Sequence, residues 1–243
     1  MKSSRFSRLA AALVFTTLGA AASAQTTVVD FSNGTQGWTT HVNSWIDDTV
    51  GNAAPAYRTQ MIDTFGLTWS NTSNAAFLGA FQPHQSVTIG LDIQALSITY
   101  LGGEVSRDVV VELRDYDNKP ADLPYTSVWF NLGTISADAG LQHLSVTIAD
   151  TSATALPAGW GGYGAETALG EPVLPANRTF ADVLAGVDEF VFTTYVPGYF
   201  YGFTNYDVVV DNLSITAVPE PSTLALNLAG LMLLAGLVRR RRH

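Results

Sequence analysis

Apolar and polar residues alternate along much of the chain. Over residues 86–100, Val87, Ile89, Leu91 and Ile93 share one side of a two-residue period. Over residues 107–116, Val109, Val111 and Leu113 oppose Asp108, Val110, Glu112 and Arg114. A period of two marks a strand with one buried face. The same pattern predicts strands over residues 27–31, 127–132, 141–148, 189–195 and 206–216. Turn formers separate them, beginning with Ser32-Asn33-Gly34, and Gly90 inside a strand is a candidate bulge. One short helix is expected, capped by Thr179, with Phe180, Val183 and Leu184 facing the core and Gly186 ending it. Strands joined by turns, with one short helix, predict an all-β fold, an antiparallel β-sandwich. No internal repeat interrupts it.

Two stretches break the alternation, one at each end. Lys2, Arg5 and Arg8 precede an apolar run over residues 9–22, and Ala22-Ser23-Ala24 offers a small-x-small cleavage pattern. This predicts a secretory signal peptide over residues 1–24 and a mature chain starting at Gln25. A cytoplasmic amphipathic helix would need acidic residues, and none precedes Asp30. At the other end, residues 224–238 are apolar or small except for Asn227. As a helix they span about 22 Å, short of the roughly 30 Å hydrocarbon core. Arg239, Arg240, Arg241 and Arg242 extend that reach by snorkelling and hold the terminus on the cytoplasmic side. A buried core helix would instead show a polar face. Pro219 and Pro221 separate this segment from the domain, expected over residues 25–217.

Composition sharpens the picture of that domain. It holds five Lys and Arg against 20 Asp and Glu, a net charge of −15 that the basic ends conceal. Such a body repels nucleic acid and anionic membranes, and could meet an anionic polysaccharide only through bridging cations. Cysteine is absent, which excludes disulfides and thiol catalysis.

The order Pro219-Glu220-Pro221, hydrophobic stretch, arginine cluster resembles the PEP-CTERM sorting signal of Gram-negative bacteria, over residues 218–243. The resemblance implies processing by an exosortase near Pro-Glu-Pro. It also implies transient membrane anchoring through the hydrophobic helix and delivery to the cell surface or beyond. Within the body, "VVDFSNGTQGW" and "YDVVVDNLSI" resemble jelly-roll domains of the carbohydrate-binding-module and galactose-binding-like kind. That resemblance implies first and last strands lying together with Trp38 nearby. The function expected is a non-catalytic module that binds extracellular polysaccharide or matrix; a secreted polysaccharide hydrolase is the alternative.

Candidate chemistry falls into three groups. Glu112 and Asp115 are the carboxylates available to a hydrolase, in "VVVELRDYDN", although the Glu-x-Asp-x-x-Glu pattern of jelly-roll glucanases is absent. Asp115, Asp117, Asn118 and Asp122 concentrate hard oxygen ligands suited to a structural calcium, and Asp30 with Asp211 form a second candidate. Trp160 and Tyr163 in "AGWGGYG", and Tyr199 and Tyr201 in "VPGYFYGF", place rings among glycines, where exposed loops and sugar stacking are expected. Trp38, Trp69 and Trp129 are expected between the sheets. His41, His84 and His143 lack zinc-ligand spacing, no Gly-x-Ser-x-Gly elbow occurs, and no regular threonine array of the kind ice binding needs is visible.

Overall fold

A computed structural model describes residues 23–220. The basic and apolar parts of the expected leader, and the tail elements from Pro221 to Arg242, lie outside the described residues. Strands follow one another as β1 (Gln25–Val29), β2 (Trp38–Thr40), β3 (Ser44–Asp47), β4 (Ala56–Thr64), β5 (Thr68–Asn71), β6 (Gln85–Tyr100), β7 (Gly103–Glu104) and β8 (Arg107–Asp115). They continue as β9 (Thr126–Ile135), β10 (Leu141–Ile148), β11 (Trp160–Tyr163), β12 (Ala165–Glu166), β13 (Pro172–Val173), β14 (Glu189–Thr193) and β15 (Thr204–Pro219). Among the described residues two short α-helices, α1 (Ala75–Leu78) and α2 (Phe180–Ala185), and a 3-10 turn over Ala137–Ala139 interrupt them. Among the described residues no helix is long and apolar enough to cross a membrane.

Every strand pair is antiparallel. One sheet runs β10-β6-β15-β4-β3, with β1 also on β15 and β7 on β6; the other runs β11-β9-β8-β14-β5-β2. The first and last strands pair directly, from Gln25 opposite Ala217 to Val29 opposite Leu213. Both sheets turn apolar faces into one core: Leu91, Ile93, Val208 and Val210 from the first, Val111, Leu113, Phe190 and Phe192 from the second. Trp38 and Trp69 are buried there as expected.

The alternation in the long strands is reset by bulges, which add one residue and change which parity faces inward. On β15 the core positions are Tyr206, Val208 and Val210, then Leu213 and Ile215. The slip falls between Asp211 and Ser214, where Asn212 takes φ 47°. Asn tolerates that left-handed backbone better than most residues do. Gly90 is therefore not the bulge. It lies opposite Ser214, and a Cβ there would sit 3.2 Å from Ser214 Oγ and 3.3 Å from His143 Cε1.

Helix α2 forms where the capping residues predict. Thr179 accepts from the Asp182 N–H while Asp182 accepts from the Thr179 N–H, closing a capping box, and Phe180, Val183 and Leu184 are buried. Strand β15 runs three residues past the strand end expected at Thr216, to Pro219, which pairs with Gln85. Proline is tolerated there because the last strand residue need not donate to the ladder.

Candidate functional site

The glycine-rich stretch around Trp160 is a strand, not an exposed loop. Trp160–Tyr163 forms β11, paired to β9 from Trp160 opposite Phe130 to Tyr163 opposite Ser127. Trp160 is 8% exposed, with its ring packed on Phe130 and Phe180. The glycines are needed for close packing: a Cβ on Gly161 would run into the Trp129 ring, and one on Gly162 would meet Leu174. This corrects the sequence expectation, because Trp160 is enclosed and presents no platform for a sugar. Trp129 reverses its expected place as well. It lies opposite Glu112, on the face of the six-stranded sheet turned away from the core, half-buried over Gly161.

That outer face holds a closed polar network. Arg114 donates to Glu112 Oε2 at 2.6 Å and to Glu189 Oε2 at 3.0 Å, and its guanidinium lies 4.5 Å from the Tyr125 ring centre. Ser127 donates to the other Glu112 oxygen at 2.6 Å, and Tyr116 donates to Glu189 at 2.6 Å. Burial, followed by the bond to Glu189, pushes the Tyr116 phenol up to about 12. Burial, with the charge of Glu112 behind it, also raises Tyr125. Tyr163 joins as a half-buried neighbour of Tyr125, ring centres 5.1 Å apart. Both oxygens of Glu112 are thus occupied.

Asp115 is equally committed. It is fully buried, accepts from the Asp117 and Asn118 N–H groups at 2.9 and 3.0 Å, and pairs with Arg178. The calcium expectation for Asp115, Asp117, Asn118 and Asp122 is corrected here: an arginine stands where the buried carboxylate would meet a cation, and the other three residues are exposed. The second pair separates in role. Asp30 accepts from Ser32 in an exposed turn, whereas Asp211 is buried and accepts from the Asn52 and Ala53 N–H groups. Among the described residues no three of His, Asp and Glu converge as metal ligands.

The open aromatic surface lies elsewhere. In the segment between β14 and β15, Tyr201 anchors the chain: its hydroxyl donates to Asp108 at 3.2 Å and its ring lies 4.5 Å from the Arg107 guanidinium. Tyr199 packs edge-on against Tyr201 and is 63% exposed. Phe200 and Phe203, 70% and 57% exposed, both pack on Phe65, at 4.5 and 4.2 Å between centroids. These three rings, with Tyr100, Asp63 and Asn205, line a cleft of about 500 Å³.

A bulge shapes its floor. The β4–β15 register slips between Thr204 and Tyr206, and Asp63 takes φ 53°, turning its N–H onto Asn205 Oδ1 at 2.9 Å. Asn205 also lines a second cleft of about 600 Å³, with Asn43, Gln60, Met61 and Asp207. The two clefts share Asn205: rings line the first, and Asn43, Gln60 and Asp207 bring amides and a carboxylate to the second. Asp207 is held ionised there: burial pushes its carboxyl up, and bonds from Arg58 and Gln60 more than reverse this. Tyr199 and Tyr201 flagged this segment in the sequence, but neither of them lines the cleft. Phe65, Tyr100 and Asn205 carried no local signal, since only the fold brings their segments together.

One further arrangement was invisible along the chain. Thr26, Thr216, Thr88 and Thr147 stand in register across four adjacent strands. Their hydroxyls pair at 2.9 Å, Thr26 with Thr216 and Thr88 with Thr147. The neighbouring row is Val28, Ser214, Gly90 and Ser145, so the threonines form a single row and not a repeating plane.

No protein-family model matches the chain, and no curated protein matches it. Among solved structures it is similar to the family 11 carbohydrate-binding module from Clostridium thermocellum, in complex with a beta-1,3-1,4-mixed-linked tetrasaccharide. That likeness has 11% identity, 80% of this chain and 95% of that chain covered, and a TM-score of 0.47. It is also similar to the C-terminal family 22 carbohydrate-binding module of Clostridium thermocellum Xyn10B (11% identity, 80% and 94% covered, TM-score 0.44). A third is the carbohydrate esterase from Shiga toxin-encoding bacteriophage phi24B (14% identity, 80% and 97% covered, TM-score 0.41). At these TM-scores the likenesses carry no argument about what this chain binds.

Proposed function

We propose that the chain is an exported module that binds polysaccharide or other matrix glycan without cleaving it, using the aromatic cleft and the polar cleft that shares Asn205 with it. The observation that carries this reading is the exposure of Phe200 and Phe203 in a cleft with Asn205, which also lines the cleft that holds Gln60 and Asp207. Contiguous exposed rings lose free energy in water unless something covers them. A sugar ring supplies that cover with its apolar C–H face, while its hydroxyls need the amides and carboxylates alongside. Pockets lined by rings with a few convergent polar groups are the usual form of a ligand site.

Binding without cleavage is supported by the fate of the candidate catalytic carboxylates. Glu112 and Asp115 are spent on Arg114, Ser127, Arg178 and backbone N–H groups, leaving neither free to serve as acid or nucleophile. Export and exosortase sorting rest on the leader and on the Pro219-Glu220-Pro221 tail with its arginines. The membrane enters only through that tail before processing. The net charge of the body, −15, argues against nucleic acid as a partner.

A glycan array run with a reducing-end release assay tests the reading. Retention on at least one polysaccharide with no new reducing ends is expected. Absence of retention throughout, or steady release of reducing ends, would overturn it.

A further inference from the structure

We infer that the aromatic cleft selects cationic, amine-bearing sugars over neutral or anionic ones, an inference that rests on the glycan-binding reading above. Phe65, Phe200, Phe203 and Tyr100 line a cleft that also contains Asp63. The faces of aromatic rings carry negative charge density and attract an ammonium group placed over them. Asp63, exposed and part of the cleft lining, supplies a formal counter-charge. Among the described residues no Lys, Arg or His lines this cleft or the one that shares Asn205 with it.

The arginines nearby in the fold are occupied. Arg58 donates to Asp207 through Nε and Nη2, at 2.9 and 2.7 Å, and to Asp47 at 3.1 Å. Arg107 is 7% exposed, stacks on Tyr201 and donates to Ser106 O and Thr204 Oγ1. Neither is free to receive a carboxylate or sulfate. A uronic acid entering the aromatic cleft would meet Asp63 inside a body of net charge −15. A neutral sugar would gain stacking and hydrogen bonds but no charge attraction. A protonated amino sugar gains stacking, the attraction of the ring faces and the carboxylate together. The chemical class that fits is a partly deacetylated amino-polysaccharide.

The test compares three oligosaccharides of equal length by titration calorimetry on the full-length protein: a chitosan oligomer, its fully N-acetylated counterpart and an oligogalacturonate. The amine form should bind roughly tenfold tighter than the acetylated form. The advantage should shrink with added salt and vanish once pH is raised past the amine pKa. Because a polyanionic body attracts any polycation, two variants separate the cleft from that background. Asp63→Asn changes one charge and suits the same positive φ; Phe203→Leu changes none. Each should remove most of the amine preference with the melting temperature retained. A preference that survives both variants belongs to the bulk charge and overturns the inference. Equal or tighter binding of the acetylated form overturns it too, and leaves glycan binding standing. Failure of all three sugars, and of the wider array, removes both readings.

Discussion

Trp160 and Phe180 pack ring against ring, centroids 5.1 Å apart and planes 73° apart, joining edge strand β11 to helix α2. Strand and helix are thereby fixed to the same core. Trp160→Ala should therefore cost about 3–5 kcal/mol of folding free energy, the usual range for deleting an enclosed aromatic ring. Glycan binding, measured at a temperature where the variant is folded, should be unchanged. Denaturant unfolding and binding on the same protein decide the matter. Normal stability with lost binding would return Trp160 to the surface.

At the opposite extreme of exposure stands Phe203. Its ring packs on Phe65 but remains 57% exposed. Phe203→Ala should weaken glycan binding by about 1–3 kcal/mol, as truncation of aromatic anchors commonly does. Stability should move far less than for Trp160, because less area is withdrawn from water. Unchanged affinity would move the contact surface away from this cleft.

The contrast between these two aromatics shows what could be read in the chain. Strands with apolar inward positions were legible, as Val87, Ile89, Leu91 and Ile93 all proved fully buried. Helix α2 was legible because its capping box is local. Strand β4 was not, since one of its inward positions is Thr59, whose hydroxyl is buried and accepts from Trp69 Nε1 at 2.9 Å. A polar residue satisfied by a distant partner breaks the alternation that marks a strand. Gly161 misled for a related reason: its missing side chain makes room for Trp129 from the next strand, and in sequence this looks the same as flexibility. The cleft was half legible. Phe200 and Phe203 lie in the segment that Tyr199 and Tyr201 flagged, but those two tyrosines do not line the cleft, and Phe65 and Tyr100 arrive through the β4–β15–β6 pairing.

Acid should destabilise the domain over a defined window. Thr49 and then Arg58 hold Asp47 down at about 2, and Asp30, Asp92, Asp182 and Asp207 also lie below the ordinary value. A carboxyl whose folded pKa is depressed stabilises the fold above its unfolded pKa, about 4, and loses that contribution as pH falls through the folded value. Asp211 acts in the opposite sense: burial raises it, so its folded form favours the proton. With five groups against one, the melting temperature should be level near neutrality and fall between about pH 4 and pH 2. Arg58→Gln, which removes a shared partner of Asp47 and Asp207, should make that fall shallower. A melting temperature that rises with acid would show that Asp211 dominates.

The tail makes a prediction about covalent structure. If an exosortase acts near Pro219-Glu220-Pro221, the surface form lacks Arg239 to Arg242. Mass spectrometry of protein extracted from a host that possesses an exosortase should find a C-terminus near Pro-Glu-Pro. An intact arginine cluster on the surface form would exclude this route.

Arg114 offers the sharpest separation of a binding module from a hydrolase. It bridges Glu112 and Glu189, whose side chains are 3% and 11% exposed, while its own is 15% exposed. Removing the cation leaves two enclosed carboxylates facing each other with only the Ser127 and Tyr116 hydroxyls as partners. Arg114→Met should then cost about 3–5 kcal/mol, the usual result of breaking a buried ion pair from one side. The loss comes from stranded charge, so adding Glu112→Gln and Glu189→Gln should recover much of it. Such coupling is expected of residues in one network and is read as non-additivity in a mutant cycle. Glu112→Gln alone tests chemistry: a structural carboxylate changes stability and leaves glycan retention intact. In a hydrolase the same substitution would abolish release of reducing ends with little change in stability. Denaturant unfolding, glycan retention and reducing-end release on this one variant therefore distinguish a cross-link of the sheet from a catalytic acid.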